Sequence, residues 1–109
     1  MESIDKEILE WVAQRSGDPA LAAQIESATV SRRDYMKTGF FVYLDTDRNL
    51  DPVDKALRPV CPHIASPELM DGAGCSLFLR NGYLHYLEVY ARGGFIAEKP
   101  DSYSLLDAS

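Results

Sequence analysis

Cysteines and basic residues are scarce in this chain. Its 109 residues include two cysteines, Cys61 and Cys75, too few for a disulfide framework. Its 11 lysines and arginines are outnumbered by 17 aspartates and glutamates, which gives a net charge of −6. Because proteins bind nucleic acids mainly through Lys and Arg, this balance argues against a nucleic-acid partner.

The sequence also lacks the segments that would direct it to a membrane. No apolar run approaches the ~20 residues that span a bilayer. The N-terminus has neither the basic region nor the apolar region of a secretory signal. These absences predict a cytoplasmic protein with no membrane partner and with reduced cysteines. The length predicts a single domain, residues 1–109, that is large enough to bury a core.

The first part of the chain predicts two short helices. Apolar side chains recur at helical spacing over residues 4–12, with Ser3 as the expected N-cap. Gly17 is typical of a helix C-terminus. Asp18-Pro19 then supplies a capping carboxylate and a proline suited to the first helical position.

Strand-forming residues follow the helices. Residues 29–36 and 39–44 predict the first two strands, and residues 60–64 predict a short edge strand because prolines flank and interrupt them. Arg32-Arg33 is the only adjacent pair of basic residues, and it predicts a solvated strand edge or loop. The acidic, proline-broken stretch between residues 45 and 54 predicts a long loop.

Asn81-Gly82 lies between two runs of strand-forming residues and predicts a β-hairpin. Both positions of a two-residue type I′ turn need positive φ, which Asn tolerates and Gly adopts readily. The sequence therefore predicts an α+β fold, with two N-terminal helices packed on one face of a four- to five-stranded antiparallel sheet that contains this C-terminal hairpin.

An uninterrupted register from this turn predicts which hairpin residues share a face. One predicted face carries Cys75, Leu77, Leu79, Leu84, Tyr86, Glu88 and Tyr90; the other carries Phe78, Tyr83, His85, Leu87, Val89 and Ala91. Both faces are largely apolar, whereas a half-solvated antiparallel sheet alternates apolar and polar residues. Since two helices cover one face only, the long loop and tail, a second copy, a partner or a ligand must cover the other.

Metal and catalytic chemistry find little support in the sequence. Cys61, His63, Cys75 and His85 are zinc-ligand types, but the predicted register places Cys75 and His85 on opposite faces, and no Cys-x₂₋₄-Cys spacing occurs. Across the predicted ladder, Glu88 would raise the pKa of the Cys75 thiol. No sequence neighbour orients His85 as a general base. The sequence thus predicts no catalytic residue, no metal and no cofactor.

The C-terminal third resembles a segment common in small uncharacterised bacterial α+β proteins. The resemblance rests on residues 81–90 with Gly93-Gly94 after them, and Gly39-Phe-Phe and Gly72-Ala-Gly74 are similar to earlier blocks. It covers about residues 28–98, and its motifs are structural. Some proteins of this kind look like immunity proteins that neutralise toxins, which implies an acidic binding module. The resemblance assigns no functional residue.

Fold, charge and resemblance together predict a non-enzymatic protein-interaction module of unknown partner, for which a toxin-neutralising or a homodimeric role is the expectation. Rigid aromatic side chains give large contact area at low entropic cost, so they are the expected contacts. The candidate binding residues are Phe41, Phe78, Tyr83, His85, Tyr86, Glu88 and Tyr90. The alternative is a small-molecule-binding protein or small enzyme with a pocket on the sheet that uses His85 or Glu88.

Overall fold

A computed structural model describes residues 1–108 as two helices and six antiparallel strands. The elements are α1 (Ser3–Ser16), α2 (Pro19–Ser27), β1 (Thr29–Tyr35), β2 (Gly39–Asp45), β3 (His63–Ala65), β4 (Ala73–Arg80), β5 (Tyr83–Ala91) and β6 (Ser104–Leu106). The strand order is β1-β2-β5-β4-β3-β6. The predicted α+β fold is confirmed. The sheet has more strands than predicted because the tail adds β6 beside β3, which places β3 inside the sheet and not at its edge.

The helix boundaries follow their capping residues, with one exception. Gly17 ends α1 in the left-handed conformation, with φ of 64°. Asp18 caps α2 by accepting a hydrogen bond from the Leu21 N–H at 2.9 Å. The prediction of Ser3 as N-cap is wrong, because Ser3 already lies in α1 and the capping position belongs to Glu2, whose side chain makes no capping bond. Neither helix in residues 1–108 is long and apolar enough to cross a bilayer.

The hairpin turn forms as predicted. Asn81 and Gly82 have φ of 54° and 84°, the two positive values that a type I′ turn requires. A side chain at Gly82 would also meet the neighbouring loop, since a Cβ there would lie 2.7 Å from the Cβ of Pro52. This glycine therefore serves both the turn and the close approach of the loop.

A β-bulge at His85 overturns the predicted register beyond the first two pairs of the hairpin. Leu79 pairs with Leu84 as predicted, but Phe78 then pairs with Tyr86, so that His85 has no partner of its own. Each later residue of β5 consequently changes face. The physical reason is burial: the bulge turns Leu87 and Val89 to the same side as Leu84 and leaves the Glu88 carboxylate outside the core.

The core lies between the helices and one face of the sheet. It contains Ile4, Ile8, Leu9 and Val12 of α1, Leu21 and Ile25 of α2, Phe40, Val42 and Leu44 of β2, Cys75 and Leu77 of β4, and Leu84, Leu87 and Val89 of β5. Val53 of the long loop and Ile96 of the tail are buried in the same core. Tyr103 further binds the tail to α1 by donating a hydrogen bond to Glu7. The loop and tail therefore add to the side of the sheet that the helices already cover.

Polar side chains also enter this core. Gln24 is fully buried, and its amide bonds to both the loop and the hairpin. Arg33 lies above the Phe40 ring and forms an ion pair with the fully buried Asp5 at 3.0 Å. The prediction of a solvated Arg32-Arg33 pair thus fails for Arg33, because a bulge between Val30 and Arg32 turns Arg33 toward α1. Arg32 remains exposed.

Candidate functional site

The candidate site is the sheet surface turned away from the helices, which we call the aromatic face. It consists of Phe41 and Tyr43 of β2, Phe78 of β4, and Tyr86, Glu88 and Tyr90 of β5, with His85 beside them. Residues alternate between faces along a strand, and the residues between these positions belong to the core. The aromatic face is therefore a direct consequence of how the core is filled.

The Tyr86 ring is the centre of the aromatic cluster. It stacks on Phe78 with ring centroids 4.5 Å apart, and it lies 5.7 Å from both Phe41 and Tyr43. The His85 ring lies 5.0 Å from Tyr86. These separations fall in the range where aromatic pairs attract each other beyond simple burial. Tyr43 is missing from the predicted contacts, although its alternate spacing from Phe41 carries the signal that would find it.

Tyr90 extends the aromatic face over a glycine. A Cβ at Gly74 would lie 2.5 Å from the Tyr90 ring, so the ring rests on the bare backbone of β4. Tyr90 and Phe78 keep 37% and 38% of their surface exposed. Since the buried anchors of loop and tail are on the helix side, the aromatic face stays open within residues 1–108.

Tyr83 is a candidate that the structure places outside the cluster. Its hydroxyl donates a hydrogen bond to the Leu50 carbonyl at 2.9 Å, and the Arg48 guanidinium lies 4.7 Å from its ring centroid. These contacts hold the start of the long loop against the hairpin. Tyr83 thus has a structural role that its position next to the turn does not reveal in the sequence.

The charged groups of the aromatic face are unevenly distributed. Glu88 lies in the central strand, paired with Phe41 on one side and Ser76 on the other. Arg32 lies at the β1 edge, 4.3 Å from the Tyr43 ring centroid and in an ion pair with Asp34 at 3.2 Å. None of the ion pairs within residues 1–108 includes Glu88. A carboxylate at the centre is thus surrounded by rings, with arginine at the rim.

The two thiols lie on the other side of the sheet. The buried Cys75 faces Val89 instead of Glu88, and its thiol donates a hydrogen bond to the Pro62 carbonyl at 3.3 Å. Hydrogen bonding with Cys61, and then burial, raises the pKa of Cys75. The prediction of a raised pKa is right in direction but wrong in cause. The same hydrogen bond lowers the pKa of Cys61.

We therefore expect Cys61 to react with iodoacetamide before Cys75. Cys61 is only partly buried and has the larger thiolate fraction, and each unit of pKa difference changes that fraction about tenfold. Peptide mass spectrometry at pH 7.5 should show Cys61 labelled at least about tenfold faster. In the Cys61→Ser variant, labelling of Cys75 should remain slow. Equal rates for the two thiols in the folded protein would contradict this assignment.

Of two grooves in the structure, one touches the aromatic face, and only at Phe78. A groove of about 710 Å³ lies between α1 and α2, lined by residues that include Leu9, Glu10 and Ile25. Another of about 530 Å³ lies between the long loop and β4. Neither is lined by His85 or Glu88. Within residues 1–108, no three His, Cys, Asp or Glu side chains form a metal-binding group.

Fold and surface together define a two-layer α+β domain with one helix-covered sheet face and one open aromatic face. Comparison with protein-family models, with curated proteins and with solved structures finds no match to this chain. The resemblance to immunity-like bacterial proteins stays a prediction.

Proposed function

We propose that this chain is a non-enzymatic protein-interaction module and that the aromatic face is its contact surface. The observation that carries the proposal is the continuous ring cluster around Tyr86, which remains partly exposed where helices, loop and tail leave the sheet uncovered. Clustered apolar surface on a monomer commonly marks an interaction site. Rigid Tyr and Phe side chains are also suited to such contacts, because few rotamers are lost on binding.

The shape of this surface favours a protein over a small molecule. Small ligands bind in concave pockets that enclose most of their surface. The aromatic face lies across β2, β5 and β4, and its rings contact one another instead of surrounding a space. The alternative of a ligand pocket or small enzyme centred on His85 or Glu88 therefore has less support than a broad protein contact.

The Phe78→Lys substitution tests this proposal. A lysine at this position puts a charge beside the Tyr86 ring, at the centre of the cluster. Binding to a partner should fall at least about tenfold, because the charge must be desolvated. We would immobilise the wild-type chain and the variant, pass over them a lysate of the source cell, and identify the retained proteins by mass spectrometry. A retained protein, or an untagged copy of the chain itself, should be lost with Phe78→Lys.

Phe95→Lys is the matched control. Phe95 is 71% exposed and makes none of the ring contacts of the aromatic face, so the same change in charge and size should leave binding intact. Thermal unfolding of all three proteins checks that each one folds. Retention of the same proteins by wild type, Phe78→Lys and Phe95→Lys would overturn the proposal.

A further inference from the structure

The charges of the aromatic face limit which partner fits it. By strand alternation, Arg80 lies on the same face as Phe78, and Arg32 and Arg92 lie beside the rings of Tyr43 and Tyr90. With Asp34, Asp45 and Glu88, the face and its rim carry three cations and three anions. The chain as a whole has a charge of −6, so its excess negative charge lies elsewhere. A strongly basic partner would thus find its complement away from this face.

A partner that covers Glu88 must supply a cation to this carboxylate. A carboxylate covered by an apolar surface loses its hydration, which is unfavourable unless a positive group or hydrogen-bond donors replace the water. No ion pair within residues 1–108 satisfies Glu88. A facing copy of the same surface, displaced so that the axis lies between Glu88 and the rim, would bring one of the rim arginines over Glu88.

We infer that the aromatic face binds a second copy of this chain through a two-fold axis, with Glu88 of each copy paired to a rim arginine of the other. The inference rests on the proposed function. A two-fold interface uses the same patch twice, so every contact occurs in duplicate. A residue on that axis meets its own copy, so Glu88 meets a rim arginine only when the axis lies between the two side chains. The two aromatic surfaces then pack as the inner layers of a sheet sandwich.

The size of the patch indicates a weak dimer. The four long strands, seven or more residues each, outline about 19 by 23 Å, or about 440 Å² per copy and about 900 Å² for two. Pairing of Glu88 with a rim arginine makes this overlap partial, while side chains that stand out of the sheet add to it. The interface is therefore smaller than the area of about 1,200 Å² at which specific interfaces begin. We therefore expect reversible association with a micromolar or weaker Kd.

Sedimentation equilibrium of the full chain over a wide concentration range tests the inference. Wild type should show a reversible monomer–dimer equilibrium. Glu88→Arg should weaken the dimer at least about tenfold, because like charges then meet at both symmetric contacts. Mixing Glu88→Arg with Arg32→Glu, Arg80→Glu or Arg92→Glu should restore a heterodimer for the one arginine that faces Glu88.

Glu10→Arg, the same charge change on the exposed surface of α1, is the control and should leave the dimer unchanged. A monomer at every concentration would overturn the second copy as the partner. So would equal weakening by Glu88→Arg and Glu10→Arg, or the absence of restoration in all three mixtures. The proposed function survives these results if a different protein is captured by wild type and lost with Phe78→Lys; it fails if Phe78→Lys changes neither experiment.

Discussion

Gln24→Ala is expected to lower the free energy of unfolding by about 3–5 kcal/mol. The Gln24 amide donates hydrogen bonds to the carbonyls of Asp51 and Gly82, both at 2.9 Å, and accepts one from the Leu84 N–H at 3.0 Å. One buried side chain thus joins α2, the long loop and the hairpin turn. Truncation removes all three hydrogen bonds and opens a cavity, so urea unfolding should show a large loss of stability. The Gly82 carbonyl keeps its hydrogen bond from the Val53 N–H, whereas the Asp51 carbonyl and the Leu84 N–H lose the Gln24 amide.

Two further variants separate the causes of this effect. Gln14→Ala makes the same substitution at an exposed position of α1 and should change stability by less than about 0.5 kcal/mol. Gln24→Met keeps most of the side-chain volume but makes no hydrogen bonds, and it should still lose more than half of what Gln24→Ala loses. Full stability in Gln24→Met would show that packing, and not the three hydrogen bonds, explains the role of Gln24.

The sequence predicts most of the fold because its strongest signals are local. Asn81-Gly82 and Asp18-Pro19 each act through the conformation of one or two residues, and both form the predicted structures. The bulge at His85 depends instead on what β5 packs against. Its signal is the three-residue spacing from Leu84 to Leu87 within an otherwise alternating strand, which a fixed register overlooks.

The wrong hairpin register also leads to a wrong grouping of the candidate site residues. The fixed register divides the aromatic residues between two apolar faces, whereas the bulge collects the aliphatic residues in the core and turns Tyr86, Glu88 and Tyr90 to the open face beside Phe78. Six of the seven candidate residues lie on or beside the aromatic face, and Tyr83 does not; the predicted division of these residues between two faces is wrong.

Buried polar groups could not be predicted for a related reason. Gln24 and Asp5 lie at positions that local rules assign to a helix surface or to a helix N-terminus. Their burial depends on partners distant in the sequence: Gly82 and Leu84 for Gln24, and Arg33 for Asp5. A helical or strand period describes one element and contains no information about which residue meets it across the core.

Arg33→Met should destabilise the protein by about 3–5 kcal/mol at pH 7.5, because it removes the only cation within residues 1–108 that pairs with the fully buried Asp5. Thermal or urea unfolding measures this loss. Arg32→Met is the neighbouring control; its ion pair with Asp34 is exposed, so the expected change is below about 0.5 kcal/mol. Asp5→Leu combined with Arg33→Met should recover most of the stability, since no unpaired charge then remains in the core.

The pH dependence identifies the buried carboxylate as the cause. Burial raises the pKa of Asp5 from its ordinary value of 3.8, and the Arg33 charge and hydrogen bond act against that rise. Without Arg33 the pKa should rise further, and a carboxyl group with a raised pKa in the folded state favours folding at low pH and loses this contribution as pH rises. The destabilisation by Arg33→Met should therefore be smaller at pH 4.5 than at pH 7.5. An equal loss at both values would assign the role of Arg33 to its packing over Phe40 and not to its charge.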